Sequence, residues 1–576
     1  MTCGAPLKRG APQSFLLLLL LALPARPEGD YRLELRERAR ALSLHERRPW
    51  RLLLHFRGAD QESEADGPGF FLSPLGRRDP RAELEADLEA FFSPPLTIEE
   101  DDAHQHPQCR FPARYAWLKA ELGFDPVRLV EQPCARFKAW RGDPEYLTLV
   151  YADAFLSNPS SMYGHTFLRL NERNRPDDEK LLDYTLNFSA DTDETNGILF
   201  AVNGLTGRYR GKFSTMPYYM KVQEYSNIES RDLWEYRLAL SSTALDRLMM
   251  HVWELGSTWF DYYFFSENCS YQLLPLLDAA EPSLRLTERV SYFVIPSDTL
   301  RHVLSVPGLV QGARYRPSRV SEMLSRRGRL SRDEARAATL IGRRAEEASF
   351  SGLEGLSPER QAAVLDSAYD LLRYRAGFKE TDEPGVARAE RLILTRRSRL
   401  GAAAALEAKA PARPEEGHRT ARAGAAVGVS EDGPFGELGW RGSLQDTLAL
   451  QDGYVPDSLL EMFGLRLRSE GRQGLYLHSA DFVNITSFTP LDPWIRKPSW
   501  RLSSGFRQAE ELGCRGNGCV LFGFDFGVGA SLKPDWPARP LFYAFAELDT
   551  GVGGPLEKLA RAGGGGAAGA GAAPGP

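Results

Sequence analysis

Apolar positions along this chain change their spacing from region to region, and the changes divide it into units. Residues 26–105 carry apolar side chains at helical intervals, Leu33, Leu35, Ala39 and Leu42 and again Leu84, Leu88, Phe91 and Phe92, on an Arg/Glu-rich background. They predict a helical accessory region, interrupted by a short apolar run over 48–56. Residues 106–315 mix two periods. Runs over 146–151, 166–170 and 234–238 have strand composition, and 181–188 is a candidate third strand. Leu245, Leu248, Met249, Val252 and Trp253 follow a cap at Ser242 or Thr243 with helical spacing. The glycine-rich stretch 197–212 reads as a mobile loop.

Residues 316–407 return to charged helix, with a capping box at Ser331 and Glu334 and a second start at Ser357 followed by Pro358. A Pro/Ala/Glu-rich linker, 408–418, leads into 419–552, where the spacing becomes two: Phe522, Phe524, Phe526 and Val528 alternate with small or polar residues. About seven candidate strands fit there, each near the length of a barrel strand. A sandwich reads the same way, and the low, odd count argues against a closed single-chain barrel. The tail, 553–576, is rich in Gly and Ala and is expected to be disordered. The fold class is α+β, with helical flanks and a C-terminal antiparallel β-rich domain, barrel-like or sandwich.

Lys8 and Arg9 precede a short apolar run over 15–23 and then Pro24 and Ala25, the order of a secretory signal peptide over 1–25. An uncleaved anchor is the alternative. Past this leader no apolar run approaches the length of a membrane helix, which leaves a membrane β-barrel open. A formal charge of −6 offers no basic face for nucleic acid.

Export gives the cysteines meaning, because an unpaired thiol in an oxidising compartment needs a reason. Cys3 lies before the apolar run and goes with the leader. Cys514 and Cys519 flank a turn, and Cys109 and Cys134 lie in one compact segment, although sequence does not fix the connectivity. On that simplest assignment Cys269 is left over. A thiol that a histidine deprotonates is a nucleophile for acyl chemistry, and His165, beside Gly164 at the start of a strand-like run, is the candidate base. If Asn268 or Cys269 opens a helix, the N–H groups of Ser270 and Tyr271 are free to stabilise negative charge, and the helix dipole lowers the thiol pKa. Pro275 threatens to kink that helix. The bland alternatives are a buried apolar cysteine and a hydrogen-bonded core histidine. No cluster has metal-ligand spacing, so no metal or cofactor is expected.

A histidine on a strand, a polar residue on the next strand and Asn-Cys at a helix start resemble the circularly permuted NlpC/P60 (papain-like) thiol superfamily, which includes lecithin:retinol acyltransferase-like enzymes. The stretches 157–168, 229–236 and 268–271 resemble more closely the DUF4105 or Lnb N-terminal periplasmic domain family, with 109–117 and 134–140 resembling its upstream segment. The resemblance covers about 105–310. It implies a lipoprotein N-acyltransferase in the periplasm or outer membrane of a Gram-negative bacterium. Cys269 would take an acyl chain from a phospholipid and pass it to the α-amine of a diacylated lipoprotein, with His165 as base and then acid. Membrane association would follow, with no nucleic acid partner. Asn187 is the chosen third residue and Asp183 its rival. Asn268 would orient the helix start, and Ser160, Ser161 and Tyr271 would line the site.

Three functions compete. Acyl transfer favours an apolar, aromatic approach, which Tyr218, Tyr219, Tyr262, Tyr263, Phe264 and Phe265 could supply. A cysteine peptidase or amidase acting on peptidoglycan peptides favours an open polar groove. A non-enzymatic envelope protein predicts a buried, unreactive Cys269.

Overall fold

The computed structural model describes residues 28–58, 62–96, 104–156, 161–290, 294–344, 350–377, 384–401, 408–431, 433–445, 451–471, 474–510, 513–514, 516–536, 539–556 and 560–572. The leader, Cys3 and Ser160 lie outside the described residues. The protein is α+β, with two antiparallel sheets among the described residues.

The first sheet holds β1 (Pro144–Ala152), β2 (His165–Glu172), β3 (Tyr184–Asp191), β4 (Tyr209–Pro217), β5 (Leu233–Leu238), β6 (Phe260–Tyr262) and β7 (Val310–Arg316), in the order β6-β4-β3-β2-β1-β5-β7. Alternation along the strands gives it two buried faces. Leu147, Leu149, Leu168 and Leu170 point to one, where the helices Ser242–Leu255 and Leu273–Ala280 cover them. Val150, Ala152 and Phe167 point to the other, against Tyr218 and Tyr225. His165, two residues before Phe167, belongs to this second face. The 242–255 helix is capped one residue earlier than the sequence predicts, by Ser241 accepting from the Ala244 N–H at 3.1 Å.

The mobile loop expected over 197–212 is instead the helix Gly197–Leu205 followed by the start of β4. Its glycines admit aromatic rings: a Cβ on Gly204 would lie 2.2 Å from the Phe264 ring, and one on Gly207 2.2 Å from Tyr263. Gly204→Ala should therefore destabilise the fold by about 1–3 kcal/mol, read as a lower midpoint in urea.

The accessory region is helical, with Glu28–Ala41, Arg48–Leu53 and Pro80–Ala90 packed around Trp50 and Leu54. A disulfide joins Cys109 to Cys134, and another joins Cys514 to Cys519. A fully buried polar chain locks this region to the 242–255 helix. Arg114 donates to Glu83 (2.8 Å) and the Phe70 carbonyl (2.7 Å), with Asp87 at 3.5 Å and Glu254 at 3.8 Å. Glu254 accepts from the N–H groups of Ala113 and Arg114 and meets His251, whose ring meets His55.

The helices Arg319–Gly328, Arg332–Arg344, Pro358–Arg375 and Pro384–Ser398 share one core. The Ser331/Glu334 capping box forms, and Ser357 caps a helix with Pro358 at its first position. The linker 408–418 is held down, because Arg301 donates to the Gly417 (3.2 Å) and His418 (3.0 Å) carbonyls.

The C-terminal sheet has nine described strands where about seven were expected. They are β8 (Arg422–Ser430), β9 (Gly433–Arg441), β10 (Ser443–Gln445), β11 (Ser458–Glu470), β12 (Leu475–Ser487), β13 (Ser499–Gln508), β14 (Val520–Leu532), β15 (Pro540–Val552) and β16 (Ala560–Ala572). Eight form a path, β16-β15-β14-β13-β12-β11-β9-β8, and β10 pairs β11. Among the described residues the path is open between β8 and β16, so the sheet does not close as a barrel. The tail expected to be disordered supplies β16. Small side chains do not prevent pairing, and it runs in register with β15 from Pro540↔Ala572 to Val552↔Ala560.

Candidate functional site

Strand geometry brings His165 and Asn187 together. His165 opens β2 opposite Ala152 of β1, while Asn187 lies on β3. The imidazole Nε2 meets Asn187 Oδ1 at 2.7 Å with both side chains buried. A carbonyl acceptor there places the ring proton on Nε2 and leaves Nδ1 as the basic nitrogen. Asp183, the rival, is engaged elsewhere, accepting from Arg169 Nε at 3.0 Å and pairing with Arg175.

Cys269 is free and buried. The backbone N–H groups of Thr166, the residue after His165, and of Ser270, together with the Tyr262 hydroxyl, favour its thiolate form. Tyr225 neighbours both groups, its ring 5.6 Å from the His165 ring and its hydroxyl affected by Cys269. Asn268 shapes the turn that carries Cys269: Oδ1 accepts from the Ser270 N–H (3.0 Å), the Ser270 hydroxyl (2.8 Å) and the Tyr271 N–H (3.0 Å). Its Nδ2 donates to the carbonyls of Phe264 (2.9 Å) and Val294 (2.8 Å). Asn268 thus engages the N–H groups of Ser270 and Tyr271, which were expected to be free, although the Ser270 N–H still favours the Cys269 thiolate as expected.

The helix itself starts later, at Leu273, which puts Pro275 in its first turn, where no intrahelical N–H is needed. Nor is the thiol pKa lowered. Burial pushes it up to about 11, and burial, reinforced by Lys221, pushes His165 down to about 3. The resting pair is neutral thiol and neutral imidazole.

Both shifts predict pH dependence. The raised thiol contributes stability that is complete below its unfolded value of about 8.5 and is lost as pH climbs through about 11. The depressed imidazole contributes stability that is complete above about 6.5 and is lost as pH falls through about 3. Alkylation of Cys269 by iodoacetamide should be slow at neutral pH and rise about tenfold per pH unit towards the thiol pKa. A profile that levels off near neutrality would contradict this.

Several neighbours carry no obvious signal in the sequence. Tyr225 lies in a π-helix, Gln223–Ile228, a rare element often found at functional sites. Its ring is 5.6 Å from the His165 ring, with the Arg231 guanidinium 4.6 Å above it on the Arg231 side. Arg231 is held by the carbonyls of Asp153 (2.5 Å) and Ala152 (3.1 Å) and favours the thiolate electrostatically. It lies within the 229–236 stretch but reads there as one surface arginine among many. Gln272 is fully buried, and neither of its amide atoms has a hydrogen-bond partner among the described residues.

Of the residues expected to line the site, Ser161 closes a turn, its carbonyl accepting from Phe155 (2.9 Å) and Gly164 (3.0 Å). Tyr271 points to the accessory region, its hydroxyl donating to Glu64 at 2.5 Å. Tyr218 and Tyr262 are buried, whereas Tyr219 is exposed. No group of His, Cys, Asp and Glu among the described residues could hold a metal ion, and no described helix is long and apolar enough to cross a membrane.

A model of the Lnb N-terminal periplasmic domain matches residues 136–306, the segment that carries the His165, Asn187 and Cys269 cluster. Three domains of unknown function match the flanks: DUF7843 over 42–121, DUF7842 over 313–408 and DUF7840 over 411–576. No curated protein and no solved structure matches the chain.

Proposed function

We propose, from an Lnb-like periplasmic domain built around a thiol and a histidine, that the protein is a cell-envelope cysteine acyltransferase of the permuted NlpC/P60 type. It would be exported to the periplasm or outer membrane of a Gram-negative bacterium, moving an acyl chain from phospholipid to the N-terminal amine of a diacylated lipoprotein. What supports this reading is the His165–Asn187 hydrogen bond, with the buried, free Cys269 and the rings of Tyr225 and Phe167 gathered at the same end of the sheet. Aromatic rings around the thiol suit an acyl chain better than a muropeptide, whereas its depth of burial is what the non-enzymatic reading expects.

In the first half-reaction His165 Nδ1 takes the thiol proton as sulfur attacks the ester carbonyl. The C–O bond breaks, the imidazolium returns its proton to the lysophospholipid oxygen, and an acyl thioester remains. In the second, the lipoprotein amine attacks the thioester and passes a proton to His165. The C–S bond breaks, an amide forms, and the thiolate takes the proton back. The Tyr262 hydroxyl would be the donor to the carbonyl oxyanion, since the Arg231 guanidinium is already engaged by Asp153, Ala152 and Glu229.

The test is to express the mature protein in bacterial membranes with a diacylated lipoprotein and weigh the lipoprotein's N-terminal peptide. A gain of one acyl chain with wild type, absent with Cys269→Ser and His165→Ala, supports the reading. No gain from folded wild type, with cleavage of muropeptides instead, moves the assignment to a peptidase. Asn187→Ala should cost about 10–100-fold in rate, and Asn187→Asp should move the acid limb of the pH–rate profile upward, because a carboxylate stabilises the imidazolium. An unmoved profile would mean that Asn187 does not position His165.

A further inference from the structure

The C-terminal sheet is inside out for a water-soluble protein. One cross-strand row runs from Trp440 through Leu465, Ala480, Phe506 and Phe522 to Val552. Its large members are 37–46 % exposed. Along β14 the outward positions are Phe522, Phe524, Phe526, Val528, Ala530 and Leu532, and no outward position on β14 or β15 is charged. The opposite face holds paired charges, Arg501 with Glu547 at 2.8 Å, Arg468 with Glu437 at 2.8 Å, and Arg507 with Asp525. An apolar face this continuous marks a contact surface.

Dimensions and continuity select its occupant. Phe522 and Leu532 are ten residues apart, about 33 Å along a strand, and at a tilt near 40° this spans about 25 Å, the height of the apolar band of a membrane β-sheet. The face also reaches the thiol domain. A second row passes from Leu460 and Ile485, buried at 2 % and 3 %, to Leu502, Phe526 and Leu548, the last two exposed at 40 % and 52 %. Its buried end packs on Met162 and Tyr163, which lead to His165. Beside it the Phe463 ring is 5.0 Å from Phe265, four residues before Cys269. With eight strands on the path, β8 and β16 run in opposite senses, and a pairing between them, which the described path leaves unmade, is the closure that hydrocarbon would demand.

We propose that the outer face of this sheet sits in the hydrocarbon of a phospholipid bilayer, and that its Leu460–Phe463 end presents acyl chains of that bilayer to the thiol domain. The lipid contact stands on the sheet alone, whereas the delivery of acyl chains rests on the acyltransferase reading.

The full mature chain is mixed with vesicles of phosphatidylethanolamine and phosphatidylglycerol and floated on a density gradient. Wild type and Cys269→Ser should float alike, so that a failure of the chemistry is separable from a failure of the surface. Phe524→Arg should lower the floated fraction about tenfold or more, while Leu33→Arg, on the exposed side of the accessory helix, should leave it unchanged. Vesicles brominated in their acyl chains should quench the tryptophan emission of wild type, a reading that needs no variant to fold. Wild type that stays with the soluble fraction and is unquenched overturns the lipid contact. So does Phe524→Arg floating like wild type, or a vesicle-free dimer that this substitution dissociates.

Discussion

Cys269→Ser is expected to lower acyl transfer by about 10⁴-fold or more while the protein stays folded. The substitution fits the space, since the side chain is buried at 2 % and a hydroxyl is no larger than a thiol. What it removes is the nucleophile. A serine hydroxyl is far harder to deprotonate than a thiol and is the poorer nucleophile toward an ester. His165→Ala should fall to a similar level, and the double variant hardly further, because the two groups act as one unit. Rates of lipopeptide acylation for the two single variants and the double variant check this. Independent, additive losses would show that thiol and imidazole do not share a step.

Arg114→Ala is expected to destabilise the protein by about 3–5 kcal/mol, the largest stability effect of any single change considered. The guanidinium is fully buried among Glu83, Asp87 and Glu254, with no solvent to screen the acids once it is gone. Burial already pushes Glu254 up to about 7 and Asp87 well above the usual carboxylate range, with Arg114 the group that opposes both shifts. Arg114→Met should cost less than Arg114→Ala, since it keeps packing against the Phe70 and Phe111 rings, each 4.3 Å from the guanidinium carbon. Urea midpoints of the two variants, measured beside wild type, test the ordering. An Arg114→Ala midpoint equal to that of wild type would mean that the buried network contributes nothing net.

Local signals made much of the architecture legible. The Ser331/Glu334 and Ser357/Pro358 helix starts satisfy their N–H groups within three residues, and the alternation of Phe522, Phe524 and Phe526 sets a strand without tertiary help. Where tertiary contacts decided, the sequence misled. Gly204 and Gly207 read as flexibility until Phe264 and Tyr263 are seen to lie on them, and the Gly/Ala tail reads as disorder until β15 pairs it. The site divides in the same way. Cys269 stood out by cysteine arithmetic and His165 by its strand, whereas Asn187 and Asp183 share the strand expected over 181–188 and are separated only by the Asn187–His165 hydrogen bond. The depth of burial, which reverses the expected thiol pKa, and the approach of Arg231 and Tyr225 depend on chain segments about forty residues away, which no local pattern encodes.

The most direct measurement is the intact mass of the purified protein after incubation with phospholipid and no acceptor. An added acyl chain, located on Cys269, released by neutral hydroxylamine and discharged by a diacylated lipopeptide, is the predicted result. Folded protein that takes up no acyl chain, or carries one elsewhere and keeps it in the Cys269→Ser variant, would contradict thiol-based acyl transfer.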